Sequence, residues 1–365
     1  MDIIQGEKMN HSLPSYPAEH DLWKHLKATE KPILIYGMGN GADKILNELE
    51  RLSVKVSDFF ASDGFVRGHH FHGKRVLSYS EAKQKYGNFI VLLAFGTALD
   101  DVMSSILNIA SEQELYAPDV PVCGGELFDS QFYNAHYTEI KKAYEALSDD
   151  TSRVVFCSVI SYKLTGNIKY LLDAPEDDDT LFDYSSFEIC VDAGAYRGES
   201  CAELFSKNNA IKKIYALEPD IRSYKKLSAY SESEQRVIAL NMGAWSESAK
   251  AAFNSQGNRN SSFSAEGKVL TQLDSIDNIL GDKKPDYIKY DVEGCEHEAL
   301  IGSKNVIEKY HPSLLVCVYH RSRDIFALVN EINKSYSSYK LYMRRKKYIP
   351  AWDVYICAIS SESNK

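Results

Sequence analysis

The sequence predicts an α/β protein whose parallel strands are covered by helices, and three patterns lead to this prediction. Apolar stretches of strand length alternate with amphipathic helices from Ile33 onward, and the alternation starts again at Glu188. A glycine-rich turn follows the first strand of each series, in "YGMGNGADKIL" and in "VDAGAYRGES". The chain closes with two strand-like stretches, "YKLYMRR" and "DVYICAIS". Strand–helix alternation is typical of parallel sheets, and two strands joined by a loop indicate an antiparallel hairpin.

The sequence divides into three regions. Residues 1–125 predict a small Rossmann-like α/β domain, with strands at "PILIYG", "VKVSDFFASD" and "FIVLLAFG". Residues 126–186 predict a helical connector that ends in an acidic linker, "APEDDDTLFDYSS". Residues 187–365 predict a larger α/β domain with five parallel strands followed by the hairpin. The acids of the linker are expected to face solvent rather than to bind a metal.

Composition restricts the classes of protein that the chain can belong to. The 365 residues carry a formal net charge of -9, which argues against a general nucleic-acid binder. The segment "MDIIQGEKMN" lacks the pattern of a secretory signal, and the apolar runs are far shorter than the roughly 20 residues that span a membrane. The seven cysteines contain no C-x-x-C pair and mostly lie in apolar surroundings. We therefore expect a cytoplasmic protein with reduced cysteines and no membrane insertion.

The second glycine turn carries the clearer chemical signal. Its spacing is D-x-G-x-x-x-G, with Asp192 at the end of a strand and Gly194 and Gly198 behind it. An acid at this position would repel a pyrophosphate but suits a cationic ligand such as S-adenosylmethionine. We expect Asp192, Gly194 and Gly198 to line the methionine part of that cofactor, and Ala195 and Tyr196 of the same turn to contact the cofactor as well. A purely structural glycine turn is the alternative.

The ends of the next two strands supply further candidate cofactor ligands. Glu218 follows Gly198 by 20 residues, the spacing at which nucleotide-binding folds place an acid on the ribose hydroxyls. The alternative is an exposed acid before a proline turn. The end of the third strand, "NMGAW", offers Asn241, Gly243 and Ala244 as a wall beside the adenine.

The residues of the second unit resemble one known family. The segments "EICVDAGAYRGES", "YALEPD", "VIALNMGAWSESAKAAF" and "IKYDVEGCEHEALIGS" are similar to the FkbM family of methyltransferases. The last of them resembles that family's signature I-K-x-D-x-E-G-x-E-x-x-x-L-x-G, and the resemblance extends from Glu188 to Ile359. It implies a seven-stranded class I methyltransferase sheet with an antiparallel terminal hairpin, and methyl transfer from S-adenosylmethionine to oxygen. The chain departs from its relatives at Arg197, where a small or acidic residue is common.

Three residues are candidates for removing a proton from the acceptor hydroxyl. Asp291 and Glu293 follow the fourth strand, and His320 follows the fifth strand on the same sheet edge. A neutral imidazole suits a general base at pH 7, although His320 could instead only orient the next helix. Magnesium held by these three residues with Glu296 and His297 is an alternative that we do not favour. Activity that survives chelation would eliminate it.

The first unit has no assigned ligand. Gly37, Gly39 and Gly41 could admit a pyrophosphate at a helix N-terminus, but neither Asp58 nor Asp63 matches the ribose position. The run that follows resembles the small Rossmann-like N-terminal domains of sugar O-acyltransferases and related sugar-modifying enzymes. The histidines in "RGHHFHGK", at positions 69, 70 and 72, are expected to be exposed rather than metal-bound.

The leading hypothesis is an O-methyltransferase that acts on a hydroxyl of a sugar, glycan or related small molecule. One alternative is an NAD(P)-dependent sugar oxidoreductase that uses the first glycine turn, and another is a non-catalytic S-adenosylmethionine-fold binding module. The intact acids at positions 192, 218 and 291 argue against a decayed site. The basic stretch Tyr342–Tyr348 is expected to be a solvated loop, with a phosphate or carboxylate site as the alternative. The sequence does not define the acceptor, and it is compatible with a homo-oligomer.

Overall fold

The fold is known from a computed structural model, which describes residues 12–15, 20–66, 68–254, 262–263 and 269–362. The expectation about a signal segment at residues 1–10 lies outside these ranges. Within them, no helix combines the length and the apolar character that a membrane crossing requires.

The N-terminal sheet is parallel throughout, as the strand–helix alternation predicts. Its strands, together with a short two-stranded ribbon, are β1 (Ile33–Tyr36), β2 (Asp58–Ala61), β3 (His70–Phe71), β4 (Lys74–Arg75), β5 (Leu77–Ser78), β6 (Ile90–Leu93) and β7 (Glu114–Tyr116). The sheet order is β5-β2-β1-β6-β7, and β3 pairs with β4. Strands β1 and β6 are buried at every position because helices cover both faces. The helices around this sheet are α1 (Leu22–Ala28), α2 (Asn40–Arg51), α3 (Tyr79–Tyr86) and α4 (Asp100–Glu112).

Three helices connect the two sheets: α5 (Ser130–Ala146), α6 (Asp150–Thr165) and α7 (Lys169–Asp173). Asp129 and Asp149 cap the first two helices, each by accepting a backbone N–H. Gly166 ends α6 in a left-handed conformation, with φ of 63°. Helix α6 is buried on most sides and packs on the terminal hairpin.

The second sheet has the strand order that the family resemblance implies. The strands of this part of the chain are β8 (Ile189–Ala193), β9 (Lys213–Leu217), β10 (Val237–Leu240), β11 (Gly243–Ala244), β12 (Ala249–Asn254), β13 (Ser262–Phe263), β14 (Val269–Asp274), β15 (Tyr287–Tyr290), β16 (Ser313–Cys317), β17 (Tyr339–Arg345) and β18 (Val354–Ser360). The described residues form a seven-stranded sheet in the order β10-β9-β8-β15-β16-β18-β17. Five strands are parallel, and β17 and β18 form the predicted antiparallel hairpin. Strands β11 to β14 form a separate small sheet.

Helices of five to thirteen residues cover this second sheet. They are α8 (Glu199–Lys207), α9 (Ile221–Ser233), α10 (Ile276–Leu280), α11 (Glu296–Ile301), α12 (Lys304–Tyr310) and α13 (Asp324–Ser335). Strands β8 and β15 lie side by side in the centre, with Ala193 opposite Tyr290. Because these strands are parallel and end at the same level, the turns that follow them meet at one sheet edge.

The two sheets share one apolar core. A continuous cluster of buried side chains includes Leu34 and Val91 from the first sheet and Val191 and Tyr290 from the second. The loop between β17 and β18, residues 346–353, is called the hairpin loop below. Its Ile349 exchanges two backbone hydrogen bonds with Thr97, of 2.8 and 3.0 Å. The hairpin loop therefore contacts the N-terminal unit beyond the carboxyl end of β6.

One expectation about a charged segment needs correction. Arg344 and Arg345 of the basic stretch are buried, at 7% and 3% exposure, and Arg344 pairs with Asp149 at 2.7 Å. The acidic linker largely faces solvent, as expected, and its exposed acids are Glu176, Asp178, Asp179 and Asp183. Asp177 is half-buried and accepts a hydrogen bond from the Tyr355 hydroxyl. The histidines at positions 69, 70 and 72 are exposed, as expected.

Candidate active site

A cavity of about 280 Å³, called the first cavity below, lies at the carboxyl ends of the central strands of the second sheet. The turns after β8, β9, β15 and β16 line it, and the hairpin loop contributes Lys346 and Asp353. This is the edge at which open parallel sheets bind their ligands.

Six of the nine predicted cofactor residues line this cavity: Gly194, Ala195, Tyr196, Glu218, Gly243 and Ala244. Asp192, Gly198 and Asn241 lie behind its wall. Gly198 starts α8 with φ of 100°, and a Cβ there would come within 2.6 Å of a ring carbon of Tyr230. Asn241 donates a hydrogen bond of 2.9 Å from its amide nitrogen to the carbonyl of Glu218. Both residues shape the backbone and do not offer a side chain to a ligand.

Asp192 is fully buried, which corrects its predicted direct contact with the cofactor. Its carboxylate lies 3.3 Å from the ammonium of Lys289 and accepts a hydrogen bond of 2.5 Å from the Ser200 hydroxyl. The negative charge inferred for a cationic ligand is thus already balanced by Lys289. The adjacent Gly194 has φ of 89°, and a Cβ there would come within 1.9 Å of the carbonyl oxygen of Asp291. Glycine is therefore required where these two turns meet.

Glu218 offers a carboxyl group inside the cavity. It is 7% exposed, and its Oε1 accepts a hydrogen bond of 2.7 Å from the backbone N–H of Asp220. Burial raises the pKa of Glu218 to about 8, because the charged form loses hydration. Leu217, Pro219 and Met242 provide apolar wall beside it.

Asp291 is held as a carboxylate by its neighbours. The ammonium of Lys289 lies 3.3 Å from Oδ2, and the Tyr319 hydroxyl donates a hydrogen bond of 2.9 Å to Oδ1. Burial alone would raise the pKa of Asp291, but Lys289 and His320 together hold it well below its usual range. A carboxylate with so low a pKa is a weak base, so Asp291 supplies fixed negative charge to the cavity.

His320 lies beneath the cavity rather than in its wall, at 0% exposure. Three carboxylates surround it: Nδ1 is 2.9 Å from Glu296, and Nε2 is 3.5 Å from Asp291 and 3.6 Å from Glu293. Burial opposes the charged form, yet these carboxylates raise the pKa of His320 to about 10. The neutral imidazole expected from the sequence is therefore corrected: at pH 7 this environment favours an imidazolium, which has no electron pair to accept a proton.

Glu293 is the carboxyl group whose pKa comes closest to neutrality. Burial raises its pKa to about 7, so both protonation states are populated at physiological pH. It lines the first cavity and adopts a left-handed backbone with φ of 54°, which is uncommon for a residue other than glycine. The thiol of Cys123 donates a hydrogen bond of 2.9 Å to its backbone carbonyl.

Four of the five side chains in the magnesium alternative meet around the His320 imidazole, whereas His297 lies apart from them. Glu296 is 1% exposed and accepts a hydrogen bond from the backbone of Val292, whereas His297 is exposed and pairs with Glu331. Within the described ranges, no group of three or more His, Cys, Asp or Glu side chains is arranged to hold a metal ion.

The glycine turn after β1 has a partly structural explanation. A Cβ on Gly41 would come within 2.1 Å of the carbonyl oxygen of Ala94, so this glycine allows α2 to pack on the strand end. The acids of the next strand are engaged elsewhere: Asp58 pairs with Lys85 at 2.8 Å, and Asp63 accepts hydrogen bonds from Ser80.

Lys289, Tyr319, Lys346 and Asp353 are among the residues of the first cavity that the sequence reasoning did not assign to the site. Lys289 stands two positions before Asp291 on one strand, so the period of the strand was a signal that both side chains share a face. Tyr319 directly precedes His320, and since adjacent residues of an extended chain point to opposite faces, the period of the strand gave no such signal for it. Lys346 and Asp353 lie on the hairpin loop, and only tertiary packing brings them to the strand ends.

Comparisons with known proteins agree with this architecture. Residues 192–349 match the family model described as the methyltransferase FkbM domain. The chain is 27% identical over 184 residues to the hexuronic acid methyltransferase AglP of Haloferax volcanii. The aligned region covers 48% of this chain and 71% of that protein. The crystal structure of methyltransferase FkbM from Methylobacillus flagellatus KT aligns over 95% of this chain and 94% of its own, with a TM-score of 0.69 and 20% identity. Residues 192–349 of the chain therefore carry a methyltransferase FkbM domain.

Proposed function

We propose that the protein transfers a methyl group from S-adenosylmethionine to a hydroxyl of a sugar or glycan. The observation that carries the proposal is the placement of Glu218 and Glu293 along one cavity of an FkbM methyltransferase domain. The similarity to a hexuronic acid methyltransferase supports a sugar as the acceptor.

The side chains that line the first cavity fit the proposed cofactor. A carboxylate such as Glu218 can accept hydrogen bonds from both hydroxyls of a ribose. Leu217, Pro219 and Met242 form the apolar surface that an adenine ring needs. When bound, S-adenosylmethionine supplies an electrophilic methyl group on a positively charged sulfur. Asp291 and Glu293 add two further carboxyl groups to the wall of the same cavity.

The chain's own residues have separate roles in this proposal. The oxygen of the acceptor hydroxyl forms a bond to the methyl carbon while the carbon–sulfur bond breaks, and the electron pair of that bond remains on sulfur. The hydroxyl proton passes to the carboxylate of Glu293, whose pKa of about 7 is suited to a general base at neutral pH. Lys289 and Tyr319 fix Asp291, and His320 fixes Asp291 and Glu293 from below.

Titration with S-adenosylhomocysteine, followed by a transfer assay with isotope-labelled S-adenosylmethionine and a panel of sugars and hexuronic acids, tests the function. We expect S-adenosylhomocysteine to bind and a labelled O-methyl sugar to form. Absence of binding to the wild-type protein, or binding of NAD with oxidation of a sugar, would overturn the proposal.

A further inference from the structure

A second cavity of about 430 Å³ lies between the two sheets. The N-terminal unit contributes Met38, Asn40, Gly41 and Lys44 from the glycine turn and the start of α2. The methyltransferase domain contributes Tyr196 and, from the hairpin loop, Pro350 and Trp352. The glycine turn that had no assigned ligand is therefore part of a cavity that the catalytic domain helps to build.

The two cavities share a wall. Tyr196 lines both of them. The hairpin loop does the same with different residues, since Lys346 and Asp353 line the first cavity and Pro350 and Trp352 line the second. A molecule in the second cavity would therefore lie next to the place where we propose that the cofactor binds.

The boundary between the cavities contains two uncommon backbone conformations. Tyr196 has φ of 51° and Glu293 has φ of 54°, and neither is glycine. Such conformations cost free energy and cluster at sites of function. Glu293 also couples to the second cavity electrostatically. Burial lowers the pKa of Lys44, and the nearby carboxyl group of Glu293 opposes that shift.

The walls of the second cavity combine apolar surface with one available cation. Asp119 is paired with Lys163 at 2.8 Å, and both side chains are buried, so their charges balance each other. Lys44 donates a hydrogen bond of 2.6 Å from Nζ to the carbonyl of Val122, an uncharged partner. Among the described residues that line this cavity, Lys44 is the only one with a cationic side chain.

Trp352 gives the cavity a flat aromatic wall. Its ring is stacked on that of Tyr348, with centroids 6.0 Å apart and an angle of 28° between the planes. Gly96 supports this pair from the N-terminal sheet, because a Cβ there would come within 2.6 Å of both rings. A pyranose ring presents C–H groups on one face and can cover such a surface, while its hydroxyls remain available for polar contacts.

We propose that the second cavity binds the methyl acceptor as an anionic sugar, with its carboxylate or phosphate at Lys44 and one ring face on Trp352. This inference rests on the proposed methyl transfer, because it places the acceptor hydroxyl at the shared wall beside Tyr196 and Glu293. The N-terminal unit then selects the acceptor, and the second sheet carries the cofactor.

Calorimetry tests this inference with sugars of known charge. Methyl β-glucuronoside, glucose 6-phosphate and the neutral methyl β-glucoside are each titrated into the protein, with and without S-adenosylhomocysteine. The variants are Lys44→Met, Trp352→Ala and, as a matched control, the exposed lysine variant Lys55→Met. The affinity for S-adenosylhomocysteine reports separately on the fold and on the first cavity.

We expect at least one anionic sugar to bind the wild-type protein at least tenfold more tightly than the glucoside does. Lys44→Met should remove that preference, Trp352→Ala should weaken binding of all three sugars, and neither should alter the affinity for S-adenosylhomocysteine. The inference is overturned if neither anionic sugar binds, if charge makes no difference, or if Lys44→Met keeps the preference. Binding of an anionic sugar by a protein that does not bind S-adenosylhomocysteine would contradict the proposed methyl transfer alone.

Discussion

The Nδ1 atom of His320 lies 2.9 Å from a carboxylate oxygen of Glu296, and neither side chain reaches solvent. Glu296 also accepts a hydrogen bond of 2.9 Å from the backbone N–H of Val292. One carboxylate thus joins the turn after β15 to the turn after β16. The pair fixes the two chain segments that carry Asp291, Glu293 and Tyr319.

Replacement of His320 should destabilise the fold. His320→Gln removes the positive charge that three carboxylates surround, one of them the buried Glu296, and breaking a buried ion pair costs about 3–5 kcal/mol. The folded-state pKa of about 10 lies above the unfolded value of roughly 6.5. The stabilisation by His320 is therefore complete below about pH 6.5 and is lost as the pH rises through about 10. Urea denaturation of both proteins across this range measures the difference in unfolding free energy.

The exposed pair of His297 with Glu331 provides the control for that experiment. His297→Gln should change the unfolding free energy by less than about 1 kcal/mol. Equal stabilities of His320→Gln and the wild-type protein at pH 7 would contradict the charged state of His320.

Replacement of Glu218 should weaken cofactor binding. Glu218→Gln removes one charged acceptor of two ribose hydrogen bonds, which we expect to lower the affinity for S-adenosylhomocysteine by about 10- to 100-fold. Because burial raises the pKa of Glu218 to about 8, the wild-type affinity should rise with pH through that value. The variant should lack this dependence, and calorimetry at several pH values measures both effects. The exposed acid Glu232 serves as the control through Glu232→Gln, and unchanged affinity in Glu218→Gln would remove the ribose assignment.

Replacement of Glu293 should slow the reaction without loss of cofactor binding. A glutamine cannot accept the hydroxyl proton, so we expect Glu293→Gln to lower kcat by about 10²- to 10⁴-fold. In the wild-type protein, activity should increase as the pH rises through about 7, since only the carboxylate form is a base. Steady-state rates between pH 5.5 and 9, with Glu308→Gln as the exposed control, would test this. A variant with the wild-type rate and pH profile would show that another group takes the proton.

Removal of divalent metal ions should leave methyl transfer intact. The carboxylates nearest the reaction site already face cations of the chain, since Asp291 lies 3.3 Å from Lys289 and 3.5 Å from His320. A metal ion at the same place would be repelled by both. Methyl transfer measured after exhaustive dialysis against a chelator checks this, and loss of activity that magnesium restores would revive the metal alternative.

A side chain at position 96 should disturb both cavities. In Gly96→Val the new Cβ would lie 2.6 Å from ring atoms of Trp352 and Tyr348, and overpacking of this kind costs about 1–3 kcal/mol. We expect lower thermal stability and changed Trp352 fluorescence because the hairpin loop must move. Gly64 is the matched control, since a Cβ there would meet no atom within 4 Å. Gly96→Val with unchanged stability and fluorescence would show that the loop adapts without cost.

Local patterns predicted the framework of the fold and part of the first cavity. The glycines of "VDAGAYRGES", the spacing to Glu218 and the Asp291–Glu293 strand end are all visible within short stretches of sequence. The structure shows the second sheet with its terminal hairpin, and it places Gly194, Glu218 and Asp291 in one cavity.

Charge balance between distant residues could not be predicted in the same way. From the sequence, Asp192 is predicted to bind a cationic ligand. In the fold its partner is Lys289, which is 97 positions away in the sequence but 3.3 Å away in space. From the sequence, His320 is predicted to be a neutral base. In the fold the buried Glu296 lies 2.9 Å from its Nδ1 and raises its pKa. The cause is physical, because the pKa of a buried group depends on partners that folding alone brings together.

The position of β18 has a consequence for synthesis of the chain. This strand, Val354–Ser360, lies inside the second sheet, with β16 on one side and β17 on the other. A nascent chain that has reached only Arg345 has no partner on the open edge of β16, and it still lacks the loop that lines both cavities. The second sheet can therefore be completed only after residues 346–360 have been synthesised. A truncated chain that ends before them would have an unpaired strand edge at β16 and would lack lining residues of both cavities.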